Sequence, residues 1–223
     1  MPSKKNEFIH IFDCDGVILD SNQSKVSAIE ETLKSFNAPK EFIDWAKVEF
    51  RNNFGRTRLN HFEVFSDYKG IEGYIFNKEN IEKALKTYSL FVKKIYKKCD
   101  VIESTYNFIF SLPSSDSIYV VSASDQDELR DILPKKLCKI RKENIYGGPM
   151  GKIENINYIK SSLGVKDYFF YGDSVQDARA ALATEIEFIG LTNFSAAPHL
   201  LTNFCENNSL KYYESTDSLL ISK

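Results

Sequence analysis

The chain has 223 residues, enough for one large domain or two modest ones. Its 43% hydrophobic and 27% charged content is that of an ordinary folded protein and argues against disorder, collagen-like repeats and coiled coil. Lys+Arg of 29 against Asp+Glu of 31 leaves a net charge of −2, so no overall field draws the chain to nucleic acid or an anionic membrane. Along the chain, FIHIF (8–12) is a short β-rich apolar run that stops at Asp13-Cys14-Asp15-Gly16, a strand meeting a loop. From about Asn22 to Lys97 helical spacing takes over: Val26, Ile29, Leu33 and Phe36, then Phe42, Ala46 and Phe50, then Leu59, Phe62 and Phe65. The clearest helix carries Ile81, Ala84, Leu85, Tyr88, Phe91, Val92 and Ile95. Strand-like runs return at SIYVV (117–121), DYFFYG (167–172) and EFIGL (187–191). Between them, Ile153, Ile156, Ile159, Ser162 and Leu163 mark a crossover helix stopped by Gly164. The closing YYESTDSLLISK reads as a last strand and short helix.

Strands alternating with helices predict an α/β fold with a parallel sheet. The strand-poor block predicts a second, all-helical domain over 22–97, inserted into a core made of 1–21 and 98–223, with chain crossings near 20–24 and 96–101. No apolar run approaches the roughly 20 residues that span a bilayer. The opening MPSKKNEFIHIFDCDG is interrupted by His10 and Asp13 and does not read as a signal peptide, so a soluble cytoplasmic protein is expected. Cys14, Cys99, Cys138 and Cys205 form no C-x-x-C pair, which suggests neither a zinc site nor a disulfide framework.

Asp13 and Asp15, at positions i and i+2 past the end of the first strand, point to one face if strand geometry persists. In an open α/β sheet ligands bind outside the carboxyl ends of the strands, which is where this pair falls. Two close carboxylates repel unless a cation lies between them or one is protonated, and Mg²⁺ suits oxygen ligands of this kind. Taken alone, such a pair also suits the capping of a loop or helix.

The run Asp13-Cys14-Asp15-Gly16-Val17-Ile18-Leu19-Asp20-Ser21 resembles the first motif of the haloacid dehalogenase superfamily, in the subgroup of capped phosphatases and phosphomutases similar to phosphoglycolate phosphatase and β-phosphoglucomutase. Three further motifs follow in the family's order. Val120-Val121-Ser122-Ala123-Ser124 matches the second at Ser122, Gly148-Pro149-Met150-Gly151-Lys152 the third at Lys152, and Tyr171-Gly172-Asp173-Ser174-Val175-Gln176-Asp177 the fourth at Asp173 and Asp177. The resemblance covers nearly the whole chain, because the helical block sits where this subgroup carries its cap. It implies a doubly wound, Rossmann-like parallel sheet with an inserted helical cap, and a Mg²⁺-dependent phosphatase acting on a small phosphorylated metabolite, a sugar or polyol phosphate. Asp13 is the implied nucleophile, forming an aspartyl-phosphate, and Asp15 the acid and base. Asp13, Asp15, Asp173 and Asp177 are the implied metal ligands, with orientation of Lys152 as a second role for Asp177. Ser122, Ala123 and Lys152 are the implied phosphate contacts.

A phosphomutase is the alternative enzyme. That branch has a histidine twelve residues after the nucleophile, where this chain has Lys25, and the difference favours hydrolysis while leaving Lys25 available to a substrate anion. A receiver-like signalling module also accepts phosphoryl groups on acidic residues at a sheet end, but the large insertion and the separate role of Asp15 disfavour it. Cys14 reads as a small apolar filler with an oxidation liability. In the helical block, Arg51-Asn52-Asn53-Phe54-Gly55-Arg56-Thr57-Arg58 with His61 is basic and polar, and Arg56 is the candidate substrate contact. KKIYKK (93–98) reads as a solvated helix end. A monomer or homodimer is expected, with no nucleic-acid or membrane partner.

Overall fold

Strands buried on both faces need apolar side chains at almost every position, and that is how β1 (Phe8–Phe12) is built. In the computed structural model, which describes residues 8–220, Ile9 and Ile11 pack on one face of the sheet and Phe12 on the other. The expected core therefore has its first seven residues, and its last three, outside the described residues. Five further strands join β1: β2 (Ser117–Asp125), β3 (Ile145–Gly148), β4 (Asp167–Gly172), β5 (Glu187–Leu191) and β6 (Lys211–Tyr213). All neighbours are parallel, in the order β3-β2-β1-β4-β5-β6. The order reverses between β1 and β4, the point of an open sheet where a crevice forms at the carboxyl ends.

Helices cover both faces. On one, α7 (Lys152–Leu163) and α8 (Val175–Ala183) set Ile156, Ile159, Ala178 and Ala181 against Ile9, Ile11 and Phe170. On the other, α5 (Glu103–Ser111) brings Phe108 against Phe12 and Tyr171, whose rings stack at 4.5 Å. The sheet is flanked further by α6 (Gln126–Lys136), α9 (Pro198–Asn207) and a terminal turn, α10 (Asp217–Leu220). The fold is α/β, a doubly wound parallel sheet with a helical insertion.

The insertion lies between β1 and β2 and consists of α1 (Asn22–Lys34), α2 (Lys40–Asn52), α3 (Arg58–Ser66) and α4 (Ile81–Lys98). Its core is aromatic: Phe42, Phe62, Phe65, Phe76 and Tyr88 are buried, and Phe42 meets Trp45, Phe65 and Phe76 at ring-centroid distances of 5.7, 6.3 and 6.0 Å. The two crossings into it run side by side. Leu19 and Val101 form an antiparallel bridge, and Asp20 and Ile102 donate backbone hydrogen bonds to Asp100 and Ile18.

Two helix faces differ from the periodicity reading. Leu59 is 47% exposed, because the inward face of the short α3 is taken by His61, Phe62 and Phe65. Ile153 is 41% exposed, because α7 turns Lys152 and Asn155 inward with Ile156 and Ile159. Truncating the ring at the centre of the insertion should leave a large cavity. Phe42→Ala is expected to lower stability by about 3–5 kcal/mol, read as a lower urea midpoint at unchanged m-value.

Candidate active site

The first site residue follows β1 without a break, since the Asp13 amide donates to the Tyr171 carbonyl at 2.9 Å and so continues the ladder to β4. Gly16 then turns the chain with φ +76°, and a Cβ there would lie 2.3 Å from Asn22 Nδ2 and 2.4 Å from Asp173 Oδ2. Only glycine allows the loop and Asp173 to come so close. At the end of β4, Ser174 caps α8 while the Asp177 carboxylate accepts from the Ser174 amide at 3.1 Å and its hydroxyl at 2.6 Å. A Cβ on Gly172 would sit 2.3 Å from the Asp177 Cβ, so a second glycine admits this carboxylate.

Asp13, Asp173 and Asp177 converge, with one carboxylate oxygen of each within 4.8 Å of the others, and all three are buried. Lys152, at the first turn of α7 and also buried, lies 3.0 Å from Asp13 Oδ1 and donates to Asp177 Oδ1. One ammonium faces three carboxylates. Burial pushes Asp13 up to about 7, against the pull of Lys152 and with the help of the neighbouring Asp177 and Asp15. Burial beside Asp13 and Asp177 likewise raises Asp173 well above the usual carboxylate range. Burial works against the Lys152 charge, but Asp13 and Asp177 outweigh it and hold the ammonium above its ordinary value. The buried Asp173 Oδ1 accepts no hydrogen bond and Asp13 Oδ1 has only its ion pair with Lys152, while Asn22 Nδ2 holds Asp173 Oδ2 at 2.7 Å. An orphaned Asp173 oxygen in an all-oxygen donor set that one ammonium only partly neutralises fits a hard divalent cation such as Mg²⁺.

The Asp15 carboxylate is not in this group, which corrects the expectation of four aspartate side chains around one cation. It turns toward the helical insertion, where Lys25 Nζ meets Oδ2 at 2.6 Å and Tyr96 donates to Oδ1 at 3.0 Å. Ser21 and Ser124 add hydroxyl donors at 2.5 and 2.9 Å. Burial alone would raise Asp15, but the Lys25 charge and these hydrogen bonds outweigh it and bring the carboxyl below its ordinary value. Lys25, expected at a substrate anion, is thus ion-paired with Asp15.

A narrow, tightly filled cleft opens over Asp13. From the sheet it is lined by Asp15, Ser122, Ala123, Ser124 and Lys152, and from the helices by Lys25, Phe50, Phe54, Arg56, Arg58, His61 and Tyr88. Arg56 does face the cleft. Arg58 is tied instead to Glu128 of α6, with contacts of 3.1 and 2.6 Å that bind the insertion to the sheet domain. Cys14 is fully buried, and burial with the Asp15 and Asp13 charges raises its thiol, which makes it an inert filler.

Ser21 and Ser124 close the first and second motifs without a role assigned to them, and Asn22 and Glu128 lie outside any motif. Tyr96 is the sharpest miss, since KKIYKK reads as solvated although Tyr96 is fully buried. The spacing Ala84, Tyr88, Val92, Tyr96, in steps of four, was the available signal for its inward face.

A family model described as haloacid dehalogenase-like hydrolase matches residues 10–191. Among solved structures, a hydrolase from Pseudomonas syringae superposes with a TM-score of 0.75 at 18% identity, covering 97% of this chain and 96% of that one. A haloacid dehalogenase-like family hydrolase from Streptococcus pneumoniae gives 0.73 at 20% identity, covering 97% and 99%. A protein from Clostridium acetobutylicum described as a predicted phosphatase gives 0.75 at 20% identity, covering 96% of each chain. At these identities the likeness is one of fold. None of the curated proteins matches the chain. Among the described residues no helix is long and apolar enough to cross a membrane.

The cleft histidine supplies a pH test. Burial, with the Arg56 and Lys25 charges, pushes His61 down to about 3 from an ordinary 6.5. Between these values the unfolded chain binds a proton that the folded chain refuses, so His61 removes stability as pH falls, by up to about 1.4 kcal/mol per pH unit. Asp13 acts oppositely, because its folded value of about 7 exceeds its ordinary 3.8, and its contribution grows as pH falls through that window. Comparing the parent with His61→Gln by urea unfolding from pH 7 to pH 4 isolates the histidine. The parent should lose stability relative to the variant as pH falls; parallel curves would mean that His61 titrates normally.

Proposed function

The chain belongs to the haloacid dehalogenase-like hydrolase family, and from that premise we propose that it is a Mg²⁺-dependent phosphatase that hydrolyses a small phosphorylated metabolite, a sugar or polyol phosphate. The observation that carries this reading is the convergence of three buried carboxylates and one lysine at the sheet's switch point, beneath a cleft lined by basic and aromatic residues.

Asp13, Asp173 and Asp177 would hold the cation, which supplies positive charge against the repulsion between an anionic nucleophile and an anionic phosphate. Lys152 and the Ser122 hydroxyl, with the loop at Ala123, hold the phosphate oxygens, and the charge that Lys152 keeps when buried suits it to the negative transition state. Asp177 and Asp13 fix the direction of that ammonium. A carboxylate oxygen of Asp13 attacks phosphorus while the bond to the leaving oxygen breaks, and the leaving oxygen takes a proton through Asp15. The product is an alcohol and an aspartyl-phosphate. Water, giving its proton back through Asp15, then attacks phosphorus and breaks the bond to Asp13, releasing phosphate. The helices roof the cleft and keep bulk water away, and Arg56 reaches the alcohol half of the substrate from above.

Purified protein with Mg²⁺ should release inorganic phosphate from at least one member of a panel of sugar and polyol phosphates, and EDTA should abolish it. Asp13→Asn should cost at least about 10³-fold in rate, the scale of losing a nucleophile that works as a unit with its partners. An Asp13→Asn protein as fast as the parent overturns the assignment, and ³¹P NMR showing an isomeric ester with little free phosphate identifies a mutase. Binding is testable without turnover: Mg²⁺ should raise the melting temperature of the parent and have little effect on Asp173→Asn.

A further inference from the structure

The roof of the cleft stands close to the site beneath it. Gly55, in the turn between α2 and α3, has φ +92°, and a Cβ there would lie 2.6 Å from Ser174 Oγ and 3.0 Å from the Gln176 Cβ. This turn therefore rests on the start of α8, next to Asp173. The polar side chains that the roof turns to the cleft differ in how far the protein already satisfies them. Lys25 is paired with Asp15 at 2.6 Å, and Arg58 meets both oxygens of Glu128 at 3.1 and 2.6 Å. Arg56 keeps a looser contact of 3.9 Å with Glu49. His61 is 3% exposed and lines the cleft, and no described residue hydrogen-bonds to its ring.

A buried imidazole with unpaired nitrogens bears the desolvation cost of both unless a ligand supplies the missing partners. The ring is held where it stands, with Phe50 at 4.5 Å and Phe65 at 6.4 Å between ring centroids. Burial and the Arg56 and Lys25 charges keep it neutral, so it presents one N–H donor and one acceptor nitrogen. A carboxylate or a second phosphate on the substrate would satisfy the donor and set its own negative charge against the lone pair of the acceptor. An alkyl group would leave both nitrogens unpaired. A hydroxyl both donates and accepts, and it matches either nitrogen.

We infer that His61 sets the specificity of the cleft by hydrogen-bonding a hydroxyl of the substrate's alcohol half, so that a hydroxylated leaving group is preferred over an alkyl one. This inference rests on the phosphatase reading and says what the roof recognises. The rings of Phe50, Phe54 and Tyr88 stand around the same cleft and offer apolar walls to the C–H faces of such an alcohol. His61 neither gives nor takes a proton in the reaction. Its hydrogen bond fixes the position of the alcohol while the bond to phosphorus breaks, and a site built for a hydroxyl rejects the analogue that lacks one.

The test is a ratio. Its numerator is kcat/KM on the best hydroxylated ester of the sugar and polyol panel, glycerol 3-phosphate included, and its denominator is kcat/KM on propyl phosphate, which has no hydroxyl. It is measured with the full chain and Mg²⁺ for the parent, His61→Phe and His61→Gln. Phenylalanine keeps a ring without nitrogens, and glutamine keeps a neutral donor and acceptor. The parent should favour the hydroxylated ester. His61→Phe should lower the ratio by on the order of 10-fold, the scale of one neutral hydrogen bond, and His61→Gln should recover most of it. Dividing one rate by the other cancels any loss of folded protein, so a role in packing alone leaves the ratio unmoved. A parent with no preference overturns the inference. So does an unchanged ratio in His61→Phe, or an equal fall in both variants, which would mark ring shape in place of hydrogen bonding. A parent that releases phosphate from no ester overturns the phosphatase reading and this inference with it; activity without a preference for hydroxyls overturns only the role of His61.

Discussion

Like-charge repulsion in a buried place is the constraint around which this protein is arranged. Asp13, Asp173 and Asp177 come from three points of the chain, the end of β1, the end of β4 and the first turn of α8, and their carboxylates are forced together out of water. Lys152 offsets part of that charge, and the remainder makes an electronegative hole of the kind that suits an oxygen-seeking cation. The local backbone bends to allow it. Glycines at 16 and 172 stand where any side chain would strike Asp173 or Asp177, and Asn22 is drawn from the start of α1 to hold Asp173.

A second electrostatic centre sits a few residues along the same loop and obeys the opposite rule. Asp15 is equally buried, but four donors surround it and its charge is satisfied without a metal. The two carboxylates, two positions apart in sequence, are thus driven in contrary directions by their surroundings, Asp13 toward protonation and Asp15 away from it. Such divergence is how similar groups take on different chemical duties. The donors that separate them come partly from the insertion, through Lys25 of α1 and Tyr96 of α4, so the helical block supplies part of the site as well as covering it.

Much of this was legible in the sequence where short-range pattern and physics coincide. β1, β4 and β5 are apolar runs because they are buried on both faces, and their limits match FIHIF, DYFFYG and EFIGL. The edge strand β3 was not legible: Ile-Tyr-Gly-Gly has no alternation, and Gly147 is there because a Cβ would lie 2.5 Å from the Ser124 carbonyl oxygen. Asp13, Asp173, Asp177 and Lys152 could be placed because strand ends and helix starts are local features. The surroundings of Asp15 could not be: Tyr96 is 81 residues away in a segment with no motif, and Ser124, 109 residues away, ends the second motif without any sign of which carboxylate it meets. Lys152 was found as a charged residue, yet its inward turn, which exposes Ile153, follows only from the carboxylates it faces.

The bridge between Leu19 and Val101 brings the two ends of the helical block beside one another at the edge of the sheet domain. Seen from the sheet, the whole insertion is therefore a single closed loop. The entropy of closing a loop grows only with the logarithm of its length, so doubling the block would cost the rest of the molecule about 0.6 kcal/mol. Its length is nearly decoupled from the stability of the sheet beneath, provided the contacts of Lys25, Tyr96 and Arg58 are kept. The same β1 end could accept a longer roof, a shorter one or a different one, and the roof's inner surface can be remodelled residue by residue while the sheet keeps its register.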